Sequence, residues 1–191
     1  AGTPVVALEL HSQLAPVAAA VWQKGEGRLR LVYVMTDGAA LPLSFSRTVA
    51  ELKEKGLLTG TVTVGHAFGG DFEAVSVYSG LLAAKYAGGA DVIAVGMGPG
   101  VVGTGTRFGT TALEQGEIVN AAHVLGGRPV AALRLSFADP RPRHHGVSHH
   151  TLTAFGRVAL APATVPVPAM APEKAALVQE QLAAAGIPQR H

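Results

Sequence analysis

The sequence predicts an α/β fold: a mostly parallel sheet of five or six strands with helices on both faces, a Rossmann-like three-layer sandwich. Three observations carry the prediction. β-branched runs recur at "VVALEL" (5–10), "LRLVYVM" (29–35), "TVTVGHAF" (61–68), "DVIAVGM" (91–97) and "PVAALRLSF" (129–137). Most are almost continuously apolar, as strands buried on both faces are. Helix-like segments alternate with these runs, and parallel strands require such crossovers. Histidines, aspartates and glycines also gather just after the strands rather than on the helix faces.

The first helix is read over 14–24, around "VAAAVWQK", and the second over 46–56, "SRTVAELKEKG". The third covers 72–88 and the fourth 111–126, "TALEQGEIVNAAHVLG". Thr111 and Glu114 have the spacing of a capping box, Ser46 or Asp71 can cap other helices, and Gly56, Gly88 and Gly126 stand where a left-handed C-terminal residue is wanted. After the fifth strand, "TLTAFGRVALAP" (151–162) reads as an edge strand. Prolines at 162, 166, 168 and 172 then favour an extended connector. Residues 173–185 form a last amphipathic helix, with Leu177, Val178 and Leu182 on one side. Residues 1–161 are therefore expected to form the α/β domain, and 162–191 a connector and helix packed on it or on another subunit, which keeps a homo-oligomer open.

With 191 residues and 48% of them hydrophobic, the chain can bury a core. Cysteine is absent, so disulfides and thiolate chemistry are excluded, and the cytoplasm is the expected compartment. Charge, Gly or Pro interrupts each apolar stretch well before the roughly 20 residues that span a bilayer, so no membrane association is expected. A net charge of +2 with 5% aromatic residues gives neither a phosphate-neutralising face nor stacking platforms, which argues against nucleic acid.

In open α/β sheets, ligands sit outside the carboxyl ends of the strands, where distant residues converge. The first strand leads to His11 and Ser12, the second to Thr36 and Asp37, the third to His66 and Asp71. "GPGVVGTGTRFG" follows the fourth, and Asp139 with "ADPRPRHHGVSHHT" (138–151) follows the fifth. Singly, each has a structural reading: Asp37 before Gly38 is a turn pair, Asp71 an N-cap, His66 a core histidine. His123 lies within the apolar pattern of the fourth helix and reads as structural.

Three chemistries are open. Without thiolates, a divalent metal would use imidazole and carboxylate, with His66, Asp71, Asp139 and His149 as candidate ligands. No diagnostic metal spacing is present, and no cofactor is specified. A small anionic ligand would be held by Gly98, Gly100, Gly103 and Thr104 with Arg107, Arg141, Arg143, His11, Ser12 and His150. The three glycines satisfy G-x-G-x-x-G but lack the strand position and the distant acidic residue of a dinucleotide site, and no Walker lysine occurs. Nucleophilic hydrolysis is the weakest, since "GVSHH" around Ser148 misses the G-x-S-x-G elbow.

The motifs "LHSQLAP", "VMTDGAALPL", "GHAFGGD", "MGPGVVGTGT" and "SFADPRPRHHGVSHHT" resemble, in order and nearly verbatim over about residues 5–155, those of the bacterial family known as domain of unknown function 3866. The resemblance implies that the strand exits are the family's signature and that a further segment precedes this region in a longer protein. It implies no reaction. The leading expectation is an enzyme, a hydrolase or transferase, acting on a small anionic or phosphorylated substrate. Asp37, His66, Asp71 and His149 would then do the acid–base or metal work. The alternative is a non-catalytic anion- or nucleotide-binding or scaffold domain.

Overall fold

The computed structural model describes residues 2–191. Strand β1 (Pro4–Ala7) is followed by α1 (Leu14–Lys24), β2 (Leu31–Thr36), α2 (Arg47–Glu54), β3 (Gly60–Val64) and β4 (Phe72–Ala74). Then come α3 (Val77–Leu82), β5 (Val92–Met97), α4 (Glu114–Val124) and β6 (Arg128–Ala131). The sheet has six strands in the order β4-β3-β2-β5-β1-β6, and all neighbours are parallel. With helices on both faces, this is the three-layer α/β sandwich that the strand and helix rhythm predicts.

The period of two along β2 divides the core. Leu31, Tyr33 and Met35 pack with Leu14 and Ala18 of α1 and Val49 and Leu52 of α2. Val32 and Val34 face the other way, towards Leu81 and Ala84 of the third helical segment and Ile118 and Val119 of α4. A small hairpin, β7 (Leu135–Ser136) and β8 (Gly146–Val147), leads into α5 (His149–Thr153), and the chain closes with α6 (Pro172–Ala184). Val178 and Leu182 of α6 enter the same core as Val32 and Val34. No helix among the described residues is long and apolar enough to cross a membrane.

Four local expectations are corrected. Residues 151–162 do not form an edge strand. Thr151, Thr153, Phe155 and Val158 suit a strand by composition, but the Ser148 hydroxyl caps α5 by accepting from His150 N (3.3 Å), and the helix continues as a wider π turn over Ala154–Val158. Burial of Ala154 and Phe155 in the core overrides the β propensity. The edge beside β6 is taken instead by the connector: Ala131 N donates to Thr164 O (2.8 Å) and Thr164 N to Pro129 O (3.0 Å).

Asp71 caps no helix. After β3 the chain doubles back through Gly65 and Gly69, both at positive φ, so that β4 can run parallel to β3. Asp71 thereby lies beside the start of β3, accepting from Thr61 N and Oγ1 (both 2.9 Å) and from Lys53 Nζ (2.7 Å). Thr110, not Thr111, caps the entry to α4, and Glu114 reaches across to Thr36 instead of back to its own helix. At the end of the third helical segment the left-handed residue is Gly89, one position beyond Gly88. Ser46 does cap α2, accepting from Val49 N at 3.0 Å.

Candidate functional site

Strand order decides which strand exits meet. β1, β5 and β6 end near one another, whereas β3 lies three strand spacings from β1, roughly 14 Å at about 4.8 Å per step. Polar residues therefore collect in two places rather than one.

The larger collection is built on Glu9, two residues beyond β1 and 1% exposed. Gln13 fixes the turn that aims it, accepting from Glu9 N (2.8 Å) and Leu10 N (2.9 Å) while donating to Leu133 O beyond β6 (3.1 Å). Glu9 accepts from Arg134 Nη1 (2.9 Å), Ser148 Oγ (3.2 Å) and Thr151 Oγ1. His150 Nδ1 lies 3.5 Å from Glu9 Oε1. Burial pushes the Glu9 carboxyl up, but donors from His150, Thr151 and Arg134, with the Arg134 charge, outweigh it and hold the group below its ordinary value.

Around this anion stand three imidazoles. His144 Nδ1 lies 3.0 Å from Ser148 Oγ, and since that hydroxyl donates to Glu9, the ring's proton is on Nδ1 and the Nε2 lone pair points away. Ring centroids are 4.1 Å apart for His149 and His150, and 5.1 Å from each to His144. Burial first, then Arg134 and Arg141, lowers His144 to about 4. Burial and the neighbouring His150 also lower His149. Buried side-chain nitrogens without a hydrogen-bond partner include His149 Nε2 and both nitrogens of His150, if the long Glu9 contact is set aside.

The hairpin tip adds cations. Arg141 holds Asp139 through two hydrogen bonds (2.9 and 2.7 Å), and Arg134 Nη2 approaches the same carboxylate at 3.6 Å. The Arg141 guanidinium, with Arg141's own backbone amide, keeps Asp139 well below the usual carboxylate range. Among the described residues no carboxylate pairs with Arg143, whose Nε instead donates weakly to His144 Nε2 at 3.4 Å. A cavity of about 290 Å³ opens here, lined by Arg134, Arg141, Arg143, His144 and His150, with Gly103 and Thr104 opposite. On the other side of the histidines, His149 lines a second hollow with Arg107 and Arg157.

The last helix holds this hairpin in place. Gln181 of α6 accepts from Val147 N (2.7 Å) and donates to His145 O (2.9 Å). Gly146 sits at φ 76°, and a Cβ there would stand 2.4 Å from Gln181 Oε1, so only glycine fits under the clamp. The glycine loop is a small hairpin of its own, closed by Thr104 N to Gly109 O and Thr111 N to Val102 O (2.9 Å). Gly103 lies against His150: a Cβ would come within 3.3 Å of its Nε2. Gly98 packs against Met35, and Gly100, at φ 122°, faces open space.

The remaining candidates lie elsewhere. His11 is bound at both nitrogens, Nδ1 to Tyr33 OH (3.1 Å) and Nε2 to Ser46 Oγ (2.6 Å), tying β1's exit to β2 and α2. Ser12 is exposed beside it. Asp37 accepts from His66 N at 3.3 Å, and half-buried Glu114 of α4 takes a 2.6 Å hydrogen bond from Thr36 Oγ1 at the end of β2. Of the four expected metal ligands, His149 alone joins a close group of three or more ligand side chains, and its companions are His144 and His150. Glu9, Arg134, His144 and Thr151 are the additions that sequence reasoning missed, and Ser148, weighed there only as a nucleophile, serves as a hydrogen-bond link between His144 and Glu9.

Glu114 gives the second place a measurable signature. Burial raises its carboxyl to about 7 against the hydrogen bond from Thr36, with Glu117 and Asp37 adding to the rise. A raised acid keeps its proton in the folded state, so its contribution to stability is full below about 4.5 and is lost as pH climbs towards about 7. Glu114→Gln should therefore be the more stable protein above pH 7, by about 3 kcal/mol at pH 8, and nearly equal to the parent near pH 4.5. Parallel urea titrations at pH 4.5 and 8 check this; an unchanged difference at the two pH values would mean that Glu114 is solvated.

No curated protein and no solved structure matches the chain. The family match extends past the motif region to include the connector and α6, whose Gln181 clamps the histidine hairpin. By that match over residues 1–191, the chain belongs to the family described as Protein of unknown function (DUF3866).

Proposed function

We propose that the protein is an enzyme acting on a small anionic, phosphate- or carboxylate-bearing substrate held beyond the carboxyl ends of β1, β5 and β6. The observation that carries this reading is the charge balance of the 290 Å³ cavity: Arg134 and Arg141 are matched by Glu9 and Asp139, and Arg143 is left in excess. A guanidinium with free donors at a concave surface is suited to a phosphate or carboxylate, because its fork can bind two oxygens at once. The imidazole nitrogens of His149 and His150 that no protein group uses support chemistry at this site rather than binding alone.

Titration calorimetry with phosphate, pyrophosphate and sugar phosphates, in chelator, tests the anion site. One anion per chain is expected. Arg143→Ala should weaken it about tenfold, the worth of one charge-assisted hydrogen bond of about 1.5 kcal/mol. An affinity indifferent to Arg143 would overturn the assignment. Turnover of any phosphorylated member of the panel separates the enzyme from a binding module.

A further inference from the structure

We infer that His144, His149 and His150 form a three-imidazole site for a divalent cation of the zinc class. One ligand atom from each ring lies within 4.8 Å of the others, and this trio sits between two basic hollows at the sheet's carboxyl edge. The inference goes beyond the anion reading and stands without it.

Two things make the cluster a ligand set rather than packed aromatic rings. First, the tautomers are fixed from behind. Ser148, itself donating to Glu9, takes the Nδ1 proton of His144, and Glu9 faces Nδ1 of His150 at 3.5 Å. The His144 ring therefore turns its Nε2 lone pair away from Ser148, and the Glu9 carboxylate beside Nδ1 of His150 favours the same tautomer there, as buried carboxylates do behind metal-bound histidines. Second, the outward nitrogens are poorly served. His150 is 6% exposed, and neither its Nε2 nor that of His149 has a hydrogen-bond partner; His144 Nε2 has only the 3.4 Å contact from Arg143. A bridging water brings two protons and can serve two lone pairs, whereas three converging nitrogens call for an electron-pair acceptor.

The donor set chooses the ion. All-nitrogen ligation with no carboxylate in the inner set suits Zn²⁺, Co²⁺ or Ni²⁺ and disfavours Mg²⁺ and Ca²⁺, which prefer oxygen. Three protein ligands leave a fourth position for solvent or substrate, the arrangement of catalytic rather than structural zinc sites. The surrounding guanidiniums do not forbid a cation. Arg134 and Arg141 are paired with Glu9 and Asp139, which leaves the neighbourhood only one unmatched positive charge on this side.

The test uses the full chain without an affinity tag, stripped by chelator and exchanged into buffer free of phosphate. Equilibrium dialysis with Zn²⁺ or Co²⁺ should give one ion per chain, and Co²⁺ should show the strong visible bands of four- or five-coordinate nitrogen ligation. His149→Ala and His150→Ala should each weaken binding by more than about 100-fold. His123→Ala, on the exposed side of α4, should bind like the parent. Because His150 is buried, far-UV circular dichroism checks that its variant folds, and in the parent Zn²⁺ should shield these rings from diethyl pyrocarbonate. Failure of the parent to bind one ion, or binding that survives both His149→Ala and His150→Ala, would overturn the inference. Neither result bears on anion binding measured in chelator.

Discussion

Glu9→Ala is expected to cost about 3–5 kcal/mol of folding stability, the range for breaking a buried charge pair from one side. The cost arises mostly from what is left behind. Arg134, with 17% of its side chain exposed, would keep only the 3.6 Å contact to Asp139, and the hydroxyls of Ser148 and Thr151 would lose the oxygens they donate to. Both of those hydroxyls are fully buried, out of reach of bulk solvent. Glu9→Gln retains an acceptor oxygen and the shape but not the charge, and should cost less, about 2 kcal/mol. Urea unfolding with an unchanged m-value would measure both. A Glu9→Ala protein within 1 kcal/mol of the parent would mean that Glu9 is not the hub of this network.

Gly116→Val should be comparably damaging, by about 3 kcal/mol, for a reason that involves no charge. Gly116 lies on α4 where the helix meets the π turn after α5. A Cβ there would stand 2.6 Å from Ala154 O, 2.8 Å from Ala159 N and 2.8 Å from Val158 Cβ. Two of those atoms are backbone and cannot rotate away, so α5 must lift from α4. Since α5 begins with His149 and His150, the folded fraction should also lose zinc-class metal binding, although no ligand has been changed. Gly116→Ala should show the same direction at smaller size. A Gly116→Val protein with the parent's melting temperature would refute the close approach of the two helices.

The sheet was legible because its strands are long apolar runs, and the alternation with helices forces them to be parallel. The exceptions have local causes. β4 is three residues long, too short for any periodicity, and it fell inside a segment read as helix. Residues 151–158 carry the composition of a strand, and only the Ser148 cap and burial against α4 make them helical. The site was half legible. The histidine hairpin and its arginines announced themselves by density, but Glu9 and Arg134 were hidden inside "VVALEL" and "PVAALRLSF". A lone charge at the end of an apolar run was the available signal. Recognising it as an ion pair required knowing that β1 and β6 are neighbours, and residue order alone does not say so. The same missing strand order is why Asp37, His66 and Asp71 were grouped with His149.

The strand-like contact at Thr164 has a consequence for life in a crowded solution. Open β-edges are templates on which other chains assemble into aggregates. At one margin the segment beyond β6 makes just one bridge, at Thr164, and Pro162, Pro166 and Pro168 around it have no amide hydrogen to offer a newcomer. At the opposite margin β4 is only three residues long and carries the exposed charge of Glu73. A chain so rich in valine and alanine thus denies fibril growth a foothold at either end of its sheet.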